Sequence, residues 1–165
     1  MDEIKKYVGK DIIVYYDKSK CVHSTNCVKG LSSVFDLKKK TWVNPDNDFS
    51  IRIAKIIDRC PNHALTYEII NKEPNLKYLL SEENLESEVF HNNIMIGKCE
   101  FNKRNNDLII IHTEVDSKYG GLGIAKQLVN EVVSYARKNN YKIVPLCSYA
   151  KTMLNSDEQF KDVLR

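Results

Sequence analysis

The sequence contains no apolar run close to the roughly 18 residues of a membrane-spanning helix, so no membrane partner is expected. Its opening, MDEIKKYVGKD, lacks the apolar core of a signal peptide, which predicts a cytoplasmic protein. Charge of one sign is also missing: 25 basic against 22 acidic residues leave +3, too balanced to argue for nucleic acid. There is no internal repeat and no low-complexity segment. The cysteines do not form an even set. Five of them without a secretion signal argue against a disulfide framework, because cytosolic thiols are kept reduced. Reduced thiols are then metal ligands, nucleophiles or core filler. The 165 residues suit one domain or two small ones, and a small unit often leans on a metal or a neighbour.

Along the chain, Asp11-Ile12-Ile13-Val14-Tyr15-Tyr16 is β-branched and aromatic and predicts a strand. A short helix is expected over 27–35, and a second from Ser50, capped by Asp48 or Ser50 and ended near Cys60 by Pro61. Residues 65–70 alternate as a further strand. Charge and Pro74 make 73–86 read as a linker between a unit at 1–72 and another at 87–165. The second unit opens with strands at 88–91 and 94–101, a turn at 102–106, and the most apolar strand at 108–115. A glycine-rich turn, Gly120-Gly121-Leu122-Gly123, leads into a helix ended by Asn139-Asn140, followed by a strand at 141–146 and short helical stretches at 149–154 and 157–164. The pattern is α+β.

Cys21-Val22-His23-Ser24-Thr25-Asn26-Cys27 sets two thiols six apart around a histidine, and Cys60-Pro61 follows a helix later. Bacterial ferredoxins hold a cubane with C-x₂-C-x₂-C and a remote Cys-Pro. On that pattern Cys21 and Cys27 are the first and third ligands, Cys60 is the remote one, and Ser24 stands where the second cysteine belongs. The flanks extend the likeness: Cys27-Val28-Lys29-Gly30-Leu31-Ser32-Ser33-Val34-Phe35, Trp42-Val43-Asn44-Pro45 and Cys60-Pro61-Asn62-His63-Ala64-Leu65. Residues 11–70 resemble the divergent single-cluster 4Fe-4S ferredoxin-like domains. The resemblance implies an iron–sulfur cluster, [4Fe-4S] or [3Fe-4S], on Cys21, Cys27 and Cys60. The fourth ligand is open between His23, which is favoured because it lies inside the loop, Ser24, His63 and an exogenous group. Zinc on Cys₃His, or three buried thiols without metal, are the alternatives.

A glycine turn between an apolar strand and a helix suits a phosphate, because backbone N–H groups and the helix dipole both favour an anion there. A dinucleotide fold would need an acidic strand end about 20 residues on, and a Walker loop would need Gly-Lys-Ser/Thr; neither is present. With His112-Thr113-Glu114-Val115 before it and Pro145-Leu146-Cys147-Ser148-Tyr149 after it, Gly120-Gly121-Leu122-Gly123-Ile124-Ala125 resembles the acyl-CoA loop of the minimal GNAT-like acetyltransferases. Gly120 stands where that loop usually has Arg or Gln. The resemblance implies acetyl-CoA as co-substrate, held at its pyrophosphate by backbone N–H groups of Leu122, Gly123 and Ile124, with Val115 pairing with the pantetheine arm. It also implies roles for three side chains: Glu114 as base, Tyr149 as acid, and Cys147 as a thiol that takes the acetyl group. Glu114 pairing with Lys118, Tyr149 as a core edge and Cys147 as buried filler are the structural counterparts. His112 could be a core histidine, and His91 and Cys99 are read as structural.

The combined expectation is an acetyl-CoA-dependent N-acetyltransferase for an unknown amine, small molecule or protein, carrying a ferredoxin-like iron–sulfur domain. Such a domain would sense redox state, stabilise the chain or position a redox partner. The alternatives are an electron carrier whose second half binds CoA without transferring anything, and a zinc-stabilised adaptor. An exposed edge strand could pair with another copy.

Overall fold

A computed structural model of the chain describes residues 4–165, so the first three residues of the opening segment lie outside it. The chain divides into two compact units, residues 1–75 and 76–165.

The first unit is a three-stranded antiparallel sheet of β1 (Lys5–Val8), β2 (Ile12–Tyr16) and β3 (Leu65–Ile69), in that order. β2 is central, and its alternation sends Ile12 and Val14 into the core. Between β2 and β3 the chain forms α1 (Asn26–Gly30) and α2 (Ser50–Ile57). α2 buries Ile53, Ala54, Ile56 and Ile57 against Ile12, Val14, Phe35, Val43 and Leu65. The expected helix over 27–35 is shorter, because the chain leaves α1 at Gly30 in two turns, with Val34 and Phe35 N–H groups on the Leu31 carbonyl. The expected side-chain cap of α2 is absent. Asp48 instead pairs with Arg52 at 3.2 Å. Ser50, buried as the first residue of α2, donates to the Asn71 carbonyl at 2.7 Å and accepts from the Glu73 N–H at 3.0 Å. It thereby fastens the segment after β3 to the helix.

The second unit is a five-stranded sheet of β4 (Leu76–Ser81), β5 (Glu86–His91), β6 (Ile94–Arg104), β7 (Asp107–Val115) and β8 (Lys142–Pro145) in chain order. β4 to β7 form an antiparallel meander, and β8 runs parallel to β7. The stretch expected as a linker therefore contains β4, paired to β5 from Leu76↔His91 to Ser81↔Glu86. The β5–β6 turn is Asn92-Asn93, both with positive φ, as a two-residue hairpin requires. The β6–β7 turn is confined to residues 105–106, since pairing continues to Arg104↔Asp107.

α3 (Ile124–Asn139) connects β7 to β8 and lies on one face of the sheet. Its stripe of Leu128, Val129, Val132, Val133 and Ala136 is buried together with Val89, Cys99, Phe101, Leu108 and Ile110 of the strands. Ser87 on β5 donates to the Leu128 carbonyl at 2.7 Å, deep in that layer. α4 (Ser148–Asn155) follows β8 directly. The last expected helical stretch is a single 3-10 turn, Glu158–Phe160, whose flank is held by Arg137 forked onto Asp162 at 2.8 and 2.9 Å.

Candidate functional site

In the first unit, the loop that carries Cys21 and Cys27 is set by local hydrogen bonds. Asp17 accepts from the Ser19 N–H at 3.0 Å and closes the turn that presents Cys21. His23 and Thr25 then take left-handed backbone conformations, φ 54° and 62°, and coil the loop before Cys27 enters α1. The Asn26 side chain donates to the Arg59 carbonyl at 3.2 Å, tying the loop to the segment that delivers Cys60. Cys60 itself is held where α2 ends, its N–H on the Ile57 carbonyl at 2.8 Å.

These three thiols line one cavity of about 240 Å³ together with His23, Ser24 and Tyr16. Its walls are otherwise largely apolar, with Val22, Leu37 and Trp42 among them. His63 is not part of this lining. Among the described residues, no three His, Cys, Asp or Glu side chains converge as the ligands of a single metal ion. The donors ring a space instead. Three soft thiols, an imidazole and low-dielectric walls around a void of that size fit a sulfur-bridged cluster. His23 Nδ1 lies 4.0 Å from Cys21 Sγ. Burial pushes the Cys27 thiol up, and the neighbouring Cys60 and Cys21 sulfurs add to this. The Tyr16 hydroxyl is pushed up to about 12, by burial first and then by its hydrogen bond to Cys21. Tyr16 is a hydroxyl beside Cys21 that motif spacing did not reveal.

In the second unit, β8 pairs with β7 only as far as Ile110↔Pro145. The Leu146 and Cys147 N–H groups both close on the Ile110 carbonyl, at 2.9 and 3.0 Å, and the chain then turns away into α4. Residues 111–115 of β7 continue without β8, which leaves one edge of the strand open inside the sheet. On the other edge, Gly97 of β6 meets Val115 so closely that a Cβ at Gly97 would sit 2.7 Å from the Glu114 carbonyl oxygen.

The glycine turn lies beyond the end of β7. Gly121 and Gly123 have φ of 74° and 78°, a left-handed backbone, and each would point a Cβ into open space. Gly123 is the N-cap of α3, without a side-chain cap and without an acidic residue in the first turn. The first intrahelical bond is Gln127 N–H to the Gly123 carbonyl, so the N–H groups of the opening turn are not spent on the helix. The end of a sixteen-residue helix dipole is thus presented with its donors to an anion.

Cys147 is the N-cap of α4. Burial pulls its thiol up, yet the N–H groups of Ala150 and Tyr149 and the Thr113 hydroxyl outweigh this, and the thiol ends below its ordinary value. Tyr149 is raised, by burial and by the charge of Cys147, and so keeps its proton. Glu114 is exposed and lies 3.5 Å from His112 Nε2. Both are on the face of β7 opposite Thr113, by strand alternation. His112 is therefore a surface residue and not part of the core. His91 is held to Tyr119 Oη at 2.8 Å.

Comparison with known proteins matches residues 7–69 to the divergent 4Fe-4S mono-cluster family and residues 86–163 to the GCN5-related N-acetyl-transferase family. A relative of the first half, the uncharacterized Escherichia coli protein YjdI, is 44% identical over 61 residues, covering 37% of this chain and 80% of its own length. The chain belongs to both families: it is a divergent 4Fe-4S mono-cluster domain fused to a GCN5-related N-acetyltransferase domain. Among solved structures, a GCN5-like protein from Staphylococcus aureus is 33% identical, covers 56% of this chain and 90% of its own, and superposes with a TM-score of 0.46. A GNAT family acetyltransferase from Elizabethkingia anophelis with acetyl-CoA bound is 24% identical, covers 43% of this chain and 50% of its own, and gives a TM-score of 0.37.

Within the acetyltransferase domain the structure brings Cys147 and Tyr149 together at the start of α4 and sets Glu114 on the open sheet face. It adds Thr113, which contacts Cys147. A strand period of two identifies Thr113 as the inward neighbour of Glu114, but nothing in the sequence pairs it with a cysteine 34 residues away.

Proposed function

We propose that the protein is an acetyl-CoA-dependent N-acetyltransferase whose mono-cluster domain carries an iron–sulfur cluster. The observation that supports this most is the position of Cys147. It is a thiol of lowered pKa at the N-terminal boundary of α4, in contact with Thr113 beside the open edge of β7, in the unit whose glycine turn opens α3.

In this reading the pyrophosphate of acetyl-CoA is held by the N–H groups of Leu122, Gly123 and Ile124, with Gly120, Gly121 and Ala125 shaping the turn around it. Val115 and the open stretch of β7 take the pantetheine arm as an added strand. The Cys147 thiolate attacks the thioester carbonyl, the carbonyl–sulfur bond to CoA breaks, and Tyr149 protonates the departing thiolate. Glu114 takes a proton from the incoming ammonium. The free amine then attacks the acetyl-cysteine, the carbonyl–sulfur bond to Cys147 breaks to regenerate its thiolate, and the proton shed by the new amide nitrogen returns to the Tyr149 oxygen. Cys21, Cys27 and Cys60 hold the cluster, with His23 as the fourth ligand from within the same loop. When bound, the cluster supplies one-electron redox chemistry. Around it, Tyr16 lies beside Cys21 and the apolar wall of Val22, Leu37 and Trp42 limits water. No helix of the described chain is long and apolar enough to cross a membrane.

The test is acetyl-CoA turnover against a panel of primary amines with anaerobically purified protein. Cys147→Ala, Tyr149→Phe and Glu114→Gln are each expected to lower turnover at least tenfold, a modest share of what positioned acid–base groups contribute. Full turnover in all three overturns the catalytic assignments. No turnover with any amine, despite CoA binding, overturns the transferase reading.

A further inference from the structure

Two contacts link Cys147 to a residue at which the acyl-transfer scheme stops short. Cys147 Sγ lies 3.7 Å from Thr113 Oγ1, and Thr113 Oγ1 lies 3.4 Å from Cys99 Sγ. The second contact follows from the sheet register, in which Cys99 on β6 is the direct partner of Thr113 on β7. The first follows from the return of the chain past β8, where the Cys147 N–H closes on Ile110. Cys99 is completely buried.

A hydroxyl has one proton to donate and lone pairs to accept with. With Cys147 as a thiol, its S–H donates to Thr113 and the Thr113 O–H donates to Cys99. Once Cys147 ionises it has nothing to donate and calls for donors. The Thr113 O–H then turns to Cys147, and its freed lone pair receives the S–H of Cys99. Every proton stays on its own heavy atom, and the proton lost by Cys147 goes to solvent. When the sulfur is acetylated its charge is gone, it becomes a poor acceptor, and the Thr113 hydroxyl swings back to Cys99.

We propose that Thr113 and Cys99 form a reversing hydrogen-bond chain that holds Cys147 as a thiolate before acylation and releases it afterwards. This rests on the reading of Cys147 as the acetyl-accepting thiol. Thr113 is then a positioning residue, and Cys99 is the fixed end of the chain and not filler. Burial keeps Cys99 a thiol throughout, because it pushes the group up to about 11. The polar groups facing the chain are Ser87 on β5 and Tyr149 with the N–H groups opening α4, while Glu100, next along β6, points to the opposite face and acts on Cys99 through its charge alone. The Glu100 charge adds to the retention of the Cys99 proton.

The experiment uses the full, cluster-loaded chain and has two readouts. The first is the pH midpoint of Cys147 alkylation by iodoacetamide, resolved by peptide mass spectrometry. Thr113→Val should raise it by about one pH unit, making alkylation near neutrality about tenfold slower, as loss of one hydrogen bond to a charged sulfur predicts. Thr113→Ser, which restores the hydroxyl, should return it to the wild-type midpoint. The second is the S–H stretching band of Cys99, identified by its absence in Cys99→Ala. It should move to lower frequency as Cys147 ionises in the wild type and stay fixed in Thr113→Val. A wild-type midpoint in Thr113→Val, or a Cys99 band indifferent to the ionisation of Cys147, overturns the proposal. Full acetyl transfer by Cys147→Ala together with the shifts above supports the hydrogen-bond chain while removing the acyl-cysteine step, so the two readings fail separately.

Discussion

Raising the pH through the upper thiol range should loosen the acetyltransferase domain through one buried atom. Cys99 ionises in the unfolded chain near the ordinary 9.0 but only at about 11 in the fold, where burial is the main cause. A group whose folded pKa is raised contributes stability that is fully present below its unfolded pKa and is lost as pH rises through its folded pKa. The two values are two units apart, and each unit is 1.36 kcal/mol, so about 2.7 kcal/mol disappears between about pH 9 and pH 11. Cys99 has no exposed surface, so solvent screening does not reduce this figure. The control is Cys99→Ser, a near-isosteric change that keeps a hydrogen-bonding group and does not ionise in this range. Urea unfolding followed by far-ultraviolet ellipticity suits the measurement, because the sixteen residues of α3 contribute strongly to that signal. At typical slopes for a small domain the wild-type midpoint should fall by about 1 to 2 M more than that of the variant over the same pH interval. Lys98 and Lys103, both raised by their partners, begin to lose stability only at the top of this window, above their ordinary 10.5, and they do so in both proteins and cancel in the difference. Parallel pH dependences for the two proteins would refute the assignment of Cys99 as a buried neutral thiol.

Other consequences follow from the two sites. Gly123→Glu imposes a side chain on a left-handed backbone and sets a carboxylate at the opening of α3, so CoA affinity measured by calorimetry should fall more than tenfold. Gly97→Ala places a methyl 2.7 Å from the Glu114 carbonyl oxygen, which should cost about 1 to 3 kcal/mol in thermal unfolding and lower turnover along with it. Tyr16→Phe removes the hydroxyl beside Cys21, so the reduction potential of the cluster should become more negative by up to about 60 mV, read by anaerobic titration of the visible spectrum.

Where one face of an element is apolar, the sequence is easy to read. β2, α2, β7 and α3 carry their burial in their periodicity, and the structure places β2, β7 and α3 within a residue or two of expectation, while α2 starts at Ser50 as expected but ends at Ile57, three residues before Cys60. β1 and β4 were not legible for a shared reason. Lys5, Lys6 and Val8 are exposed, and the Leu76, Tyr78 and Leu80 stripe of β4 is only half-buried beside exposed Lys77 and Leu79, so neither edge strand carries a fully buried stripe. Both exist because a neighbouring strand offers its free N–H and C=O groups. Ser50 looked like a cap because its residue type favours that role, but a long-range partner at Asn71 outweighed the local one. The three thiols that line the cavity were visible as spacing, whereas Tyr16 was hidden, since the turn after β2 is what brings it beside Cys21. Thr113 was hidden more deeply. Its partners arrive through a cross-strand register and through the point where β8 stops pairing, and neither is written in the residues nearby.

The chain has a single tryptophan, and it lies in the wall of the cluster cavity. Trp42 packs edge-on against Tyr16, with ring centroids 4.9 Å apart, and also meets Tyr7 and Phe35. The indole emission of the whole protein therefore originates beside the one group expected to absorb broadly in the visible. An inserted cluster should quench that emission by energy transfer, and its loss should restore it. The acetyltransferase domain, with tyrosines but no indole, is silent in the same channel. Cluster assembly, oxygen damage and repair can thus be followed by the protein's own light without a label, and independently of whatever the second domain is doing.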